Sequence, residues 1–265
     1  LGATSGAWEP TNGPYGGHVH DLIVTATGAI FAGVQVEHSS YYDPDNGAYR
    51  SDDGGRSWRR VDIPQIDRPV EGLAYSGGKL YTLDRERMAV SGDDGQSWRG
   101  GPTPWGRPVV ASDETLFVGS AEWDGALWGN VGILLRSTDG GANWANVFSM
   151  ATEGRVMSAV FHGADLYIGT TAGLFRSSDR GGSWTGALSE GAVTAILSTP
   201  QGVTIAEWET GVLSAADPAT AWDDTYLDPR FQYVTGFATY GGNAMSPPAD
   251  RTRTNLAHRR RRSRL

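Results

Sequence analysis

The chain has 265 residues, with 37 glycines, ten tryptophans, ten tyrosines and no cysteine. That suits one large all-β domain of many short strands and tight turns and rules out disulfide and thiolate chemistry. The net charge of −8 conceals a split: residues 249–265 hold seven Arg and one Asp, leaving 15 basic against 29 acidic residues, a net −14, in 1–248. So acidic a body argues against nucleic acid as the main partner, and no apolar run approaches the roughly 18–20 residues that span a bilayer.

In chain order, Ala7-Trp8-Glu9 reads as the end of a repeat and the start of an outer strand. Short apolar runs separated by Gly-rich breaks then predict strand pairs: Leu22–Ile23 with Ile30–Phe31, Leu73 with Leu80–Tyr81, and Val109–Val110 with Leu116–Phe117. Two more pairs follow, VMSAVF with DLYIGT from Val156 onward and Val193–Ile196 with Val203–Ile205.

Each pair leads into the same eight-residue string, S-x-D-x-G-x-S-W. It occurs at Ser51–Trp58 (SDDGGRSW), Ser91–Trp98 (SGDDGQSW) and Ser177–Trp184 (SSDRGGSW), and at Ser137–Trp144 (STDGGANW) with Asn143 for Ser. A worn copy is read at Ser214–Trp222 (SAADPATAW), one residue longer and with Pro218 where Gly is expected. The first serines lie 40, 46, 40 and 37 residues apart. Three strands before the string and one after its Trp make four strands per repeat of about 40 residues, the grammar of a propeller blade.

The fold expected is therefore an all-β propeller of four-stranded antiparallel blades. Five clear blades fall at about 18–62, 68–102, 107–148, 155–188 and 191–225, with a partial sixth from Phe231–Ala244 and the N-terminal piece. Residues 1–245 form the propeller. Residues 246–265 form an Arg-rich tail, expected to be disordered. The tail reads as an anionic-surface arm or, preferably, as a non-native, truncated or frame-altered replacement for a missing blade. The chain begins at Leu1 rather than Met, which leaves a preceding signal peptide open.

In each string the Asp can accept backbone N–H bonds from its own turn, the Gly can take positive φ, and the Trp can pack between sheets. Ser51, Asp53, Gly55 and Trp58 are thus read as structural, as are Ser91, Asp93, Gly95 and Trp98. The same holds for Ser137, Asp139, Gly141 and Trp144, and for Ser177, Asp179, Gly181 and Trp184. A calcium loop would need further oxygen ligands at set spacing.

These strings resemble the Asp-box or BNR-repeat superfamily, over roughly residues 8–240. It includes sialidases, xyloglucan-cleaving propeller hydrolases, sortilin-type receptors and photosystem II assembly factors. The resemblance implies a sialidase-like fold and, as in those families, ligand binding on the face opposite the boxes.

That face carries each blade's second turn. Its loops are unequal, and loops on a rigid scaffold commonly carry function. Val34–Gly47 holds Glu37, His38, Tyr41, Tyr42, Asp43 and Asp45; Ser120–Gly132 holds Glu122, Trp123, Asp124 and Trp128. Shorter loops offer Asp84-Arg85-Glu86-Arg87 and Glu207-Trp208-Glu209. Aromatic faces beside carboxylates suit sugar or peptide; they equally suit loops packed on each other.

Arg68, Arg107, Arg155 and Arg230 stand ahead of first strands, where guanidinium groups would hold an anion or pair with neighbouring carboxylates. His18 and His20 are too few for a metal site, and no metal or cofactor is expected.

Catalysis by a glycoside hydrolase would need two carboxyl groups at fixed separation, for which Asp43, Asp45, Glu122 and Asp124 are the candidates. The sialidase F-R-I-P motif is absent, Asp67-Arg68-Pro69 being the nearest string, and no G-x-S-x-G, H-E-x-x-H or P-loop occurs. The expectation is a non-catalytic, monomeric, secreted or periplasmic propeller that binds glycan or protein. The alternatives are a sialidase-like hydrolase and a scaffold of the photosystem II assembly kind.

Overall fold

The computed structural model describes residues 13, 17–36, 44–64, 66, 68–84, 87–102, 106, 109–113, 115–124, 129–188, 191–208, 211–218, 221–225, 237–240 and 243–245. They form a five-bladed β-propeller of four-stranded antiparallel sheets, each blade taking its strands in chain order from the inside out. Blade 1 is β1 (Gly17–Val24), β2 (Ile30–Val36), β3 (Gly47–Ser51) and β4 (Arg59–Val61); blade 2 is β5 (Gly72–Ser76), β6 (Lys79–Leu83), β7 (Arg87–Ser91) and β8 (Arg99–Pro102). Blade 3 has longer strands: β9 (Val109–Ser112), β10 (Thr115–Asp124), β11 (Gly129–Ser137) and β12 (Ala145–Glu153). Blade 4 is β13 (Val156–His162), β14 (Asp165–Thr170), β15 (Gly173–Ser177) and β16 (Thr185–Leu188); blade 5 is β17 (Val193–Thr199), β18 (Gly202–Glu207), β19 (Gly211–Ala215) and β20 (Asp223–Thr225). A hairpin, β21 (Ala238–Tyr240) with β22 (Asn243–Met245), follows.

Successive side chains of a strand point to opposite faces, so each blade turns one face to the blade before it and the other to the blade after it. Apolar residues occupy both faces, and the core therefore lies in the seams. Phe31, Tyr81, Phe117 and Tyr167 hold one register position on the second strand of blades 1 to 4. All four are fully buried and face the following blade. Burial of side chains this large stabilises by about 1.5–3 kcal/mol each. Opposite them Leu80, Leu116, Leu166 and Val203 come from the next blade. Where the next blade's lead-in crosses, β2 and β14 carry glycine: a Cβ on Gly33 would lie 2.5 Å from the Val70 carbonyl oxygen, and one on Gly169 2.5 Å from that of Val193.

The eight-residue strings form the turns between third and fourth strands. In the first, Ser51 Oγ donates to Asp53 Oδ1 at 2.8 Å and accepts from the Gly55 amide at 2.8 Å. Asp53 accepts the Ser57 amide at 2.9 Å and the Ser57 hydroxyl at 2.6 Å. The other three repeat this set, with the Asn143 side-chain amide replacing the hydroxyl. The fourth and fifth positions are both left-handed: Gly54 and Gly55, Asp94 and Gly95, Gly140 and Gly141, Arg180 and Gly181. The Trp rings at 98, 144, 184 and 222 pack into the seam with the preceding blade.

The register corrects the reading of the worn copy. Ala215 pairs with Val203 as Ser177 pairs with Leu166 and Ser51 with Ile30. The fifth string therefore starts at Ala215 and runs eight residues to Trp222, with Asp217 in place and no insertion; Ser214 belongs to β19. Against the close copies the string lacks both serines and the glycine, with Ala215, Ala219 and Ala221 in their places.

Candidate functional site

The four box carboxylates are fully engaged in their own turns. The Ser57 hydroxyl and amide hold the Asp53 carboxyl down to about 2, and the Ser183 hydroxyl and amide do the same for Asp179, also about 2. The Asn143 backbone amide leads for Asp139, again about 2, and the Ser97 hydroxyl leads in lowering Asp93. Carboxylates kept ionised and bonded in this way hold a turn; they do not shuttle protons near neutral pH.

A repeated contact joins this box face across seams. Arg50, just before the first box, donates to the Asp94 carbonyl of the next blade's box and sits over the Phe31 ring at 5.3 Å. Arg136 does likewise to the Arg180 carbonyl at 2.9 Å. The box residue so held reaches back to the preceding blade's first turn: Thr27 donates to Asp94 at 2.7 Å, and Arg180 pairs with Asp113 at 2.7 Å. Sequence reading missed this clamp, although Arg precedes the first serine in three of the four close copies, at 50, 136 and 176. An open groove of about 620 Å³ lies beside it, lined by Arg136, Val147, Phe148 and Gly181. It is the outer mouth of the seam between blades 3 and 4, where Trp184 Nε1 donates to the Val147 carbonyl at 2.8 Å.

On the opposite face the second turns of blades 1, 2 and 4 are braced from below. Buried Asn46 accepts the Val36 amide at 2.8 Å, and its carbonyl takes Arg60 Nη2 at 3.0 Å. Asp45 beside it is exposed, and its carbonyl accepts the Tyr49 hydroxyl at 2.9 Å. Buried Asp84 accepts the Arg87 amide at 2.7 Å. Buried Thr170 donates to the Gly173 carbonyl and accepts the Ala172 amide, both at 3.0 Å. Glu207 is buried at the matching place in blade 5, next to a Trp208 that is 49% exposed. The Trp208 amide donates to the Ala192 carbonyl at 2.9 Å, which fixes the backbone carrying the indole. Asp84 and Glu207 are thus buried and are not the surface carboxylates the sequence suggested.

Blade 3 extends beyond its neighbours here. β10 and β11 stay paired out to Asp124 and Gly129; the side chains of Glu122, Trp123 and Asp124 lie outside the described residues. Tyr41, Tyr42, Asp43, Trp128, Arg107 and Arg230 also fall outside them. Arg155 is exposed ahead of β13, with its amide donating to Thr171 Oγ1 at 3.2 Å. Arg68 is half-buried ahead of β5, and blade 3 stands between the blades these two arginines introduce. His18 is exposed, and His20 shares a 2.9 Å hydrogen bond with Gln35.

No protein-family profile matches the sequence, and no curated protein matches it. Solved structures do resemble it. The extracellular domain of the one-component-system protein BT4673 from B. thetaiotaomicron is 12% identical with a TM-score of 0.60, the match covering 90% of this chain and 38% of that one. The GH74 enzyme of Niastella koreensis is 16% identical with a TM-score of 0.61, covering 83% and 31%. YCF48 from Cyanidioschyzon merolae is 13% identical with a TM-score of 0.59, covering 82% and 74%. The chain spans less than two-fifths of the length of the first two. At these identities the likeness concerns the fold.

Proposed function

We propose that this chain is a divergent Asp-box propeller and a non-catalytic binding module, acting outside the cytoplasm and taking glycan through the face opposite the boxes. The observation that carries this reading is Trp208. A half-exposed indole on a turn anchored by its own backbone offers a flat apolar plate to the C–H face of a sugar ring. Exposed Asp45 and the projecting β10–β11 hairpin stand on the same side of the propeller. The box carboxylates are committed to their turns, which leaves this face for ligand. An extracellular domain and a GH74 enzyme among the similar structures support the location and the ligand class.

A glycan array followed by tryptophan-fluorescence titration tests it. Trp208→Ala should weaken the best ligand at least tenfold with an unchanged melting temperature. An array without binders, or equal affinity in the variant, overturns it. Turnover of the bound glycan, lost in Asp45→Asn or Glu122→Gln with binding kept, would establish the hydrolase instead. A protein scaffold is the second reading, favoured by the match over 74% of YCF48; it predicts a partner in pull-downs and no glycan.

A further inference from the structure

Blade 1 has a face that its own seam pattern says should be covered. In β5 the side chains of Leu73 and Tyr75 pack against the preceding blade, and in β13 Ala159 and Phe161 do so. Pairing to the second strand puts Leu22 and Val24 at these same positions in β1. Yet Leu22 is 54% and Val24 55% exposed, and Val19 on the same strand is 51% exposed. Three of the five large exposed apolar residues among those described thus lie on β1. A patch of this kind on an inner strand marks an interface.

The hairpin β21–β22 supplies the candidate cover. Its pairing of Tyr240 with Asn243 matches that of Ser76 with Lys79 in blade 2. Counting back from that turn, Phe237 takes the position of Leu73. It packs as Leu73 does, onto the preceding blade, against Ala195, Ala206 and Val212 of blade 5. Counting the other way, Ala238 and Met245 take the positions of Ala74 and Tyr81, which in blade 2 belong to the seam with the following blade. For a ring, the blade following the hairpin is blade 1. Blade 5 is not itself built for the role: Thr204 and Ser214 stand where blade 1 has Phe31 and Arg50.

We propose that β21–β22 is the inner half of a sixth blade, and that this blade seats on the Leu22–Val24 stripe of β1 and closes the ring. The occupant of the stripe is then a segment of the same chain and not a second copy.

The absence of cysteine makes the test clean. The full-length variant carrying Leu22→Cys and Ala238→Cys is treated with a short bis-maleimide. The proposal expects one intramolecular link: monomer mass with faster migration of the denatured chain. A doubled mass would assign the stripe to a second copy, and two singly labelled cysteines would show it uncovered; either overturns closure. Leu22→Glu gives an independent readout. It should lower the melting temperature by several degrees if a blade covers the stripe, and an unchanged melting temperature overturns the proposal.

Discussion

At each of the four close boxes a serine hydroxyl and an aspartate carboxylate absorb the amides of a turn whose fourth and fifth residues are both left-handed. Position five has a second duty. A Cβ on Gly95 would come within 2.6 Å of the Phe31 ring of the preceding blade, whereas Gly54 has nothing within 4 Å. Gly54→Ala should therefore cost only the left-handed conformation, about 1–2 kcal/mol. Gly95→Ala adds overlap with a fully buried ring, worth about 1–3 kcal/mol more, and urea unfolding of the pair measures the gap. The carboxylates also set the acid limit. With folded values near 2 at Asp53, Asp139 and Asp179 and unfolded values near 4, the unfolded chain binds more protons between them. Their stabilisation is present above pH about 4 and is lost as the pH falls through about 2. The melting temperature should drop across that window, and Asp53→Asn should shrink the drop while lowering the plateau at neutral pH.

At the scale of strands and turns, the repeat was legible because its parts are local. A string of fixed spacing marks one turn, and alternation marks the strands around it. Contacts between repeats were not legible, since nothing in the order of residues says which side chain crosses a seam. The clamp from Arg50 to the Asp94 carbonyl is the clearest case. So are Asp84 and Glu207: polar types in loops of the candidate face look like ligand contacts, and only packing shows them buried. The fifth box was misplaced by one residue because Ser214 imitates the missing first serine, and only strand register separates the two. The clamp makes a prediction of its own. Arg50 has a side chain 12% exposed and binds across the seam, while Arg59, 58% exposed, merely approaches Asp52 at 3.7 Å. Arg50→Ala should lose about 2 kcal/mol, as for a hydrogen-bonded charge with its stem packed on an aromatic. Arg59→Ala should stay within about 0.5 kcal/mol, as exposed pairs do. Chemical denaturation of the two variants distinguishes them.

Across the whole molecule, stability resides in seams between like units, so each blade is only as firm as its two neighbours make it. Blades 2, 3 and 4 have an aromatic of the preceding blade on one side and supply their own to the next. Blade 5 receives Tyr167 but offers only Thr204 in return, and Phe237 meets its far face at three small residues. Its box has lost both serines and the glycine that hold the turn in the close copies, with Ala215, Ala219 and Ala221 in their places. Local opening follows such deficits in buried contact and bonding. Hydrogen exchange in native buffer should therefore find the amides of β10 and β14 most protected and those of β19 the first to exchange. Since Trp208 stands on the turn between β18 and β19, a ligand stacked on that indole should slow exchange in β19 more than in β10. Uniform protection without ligand would mean that the ring opens as one unit, and the binding face would then rest on a scaffold equally rigid at every blade.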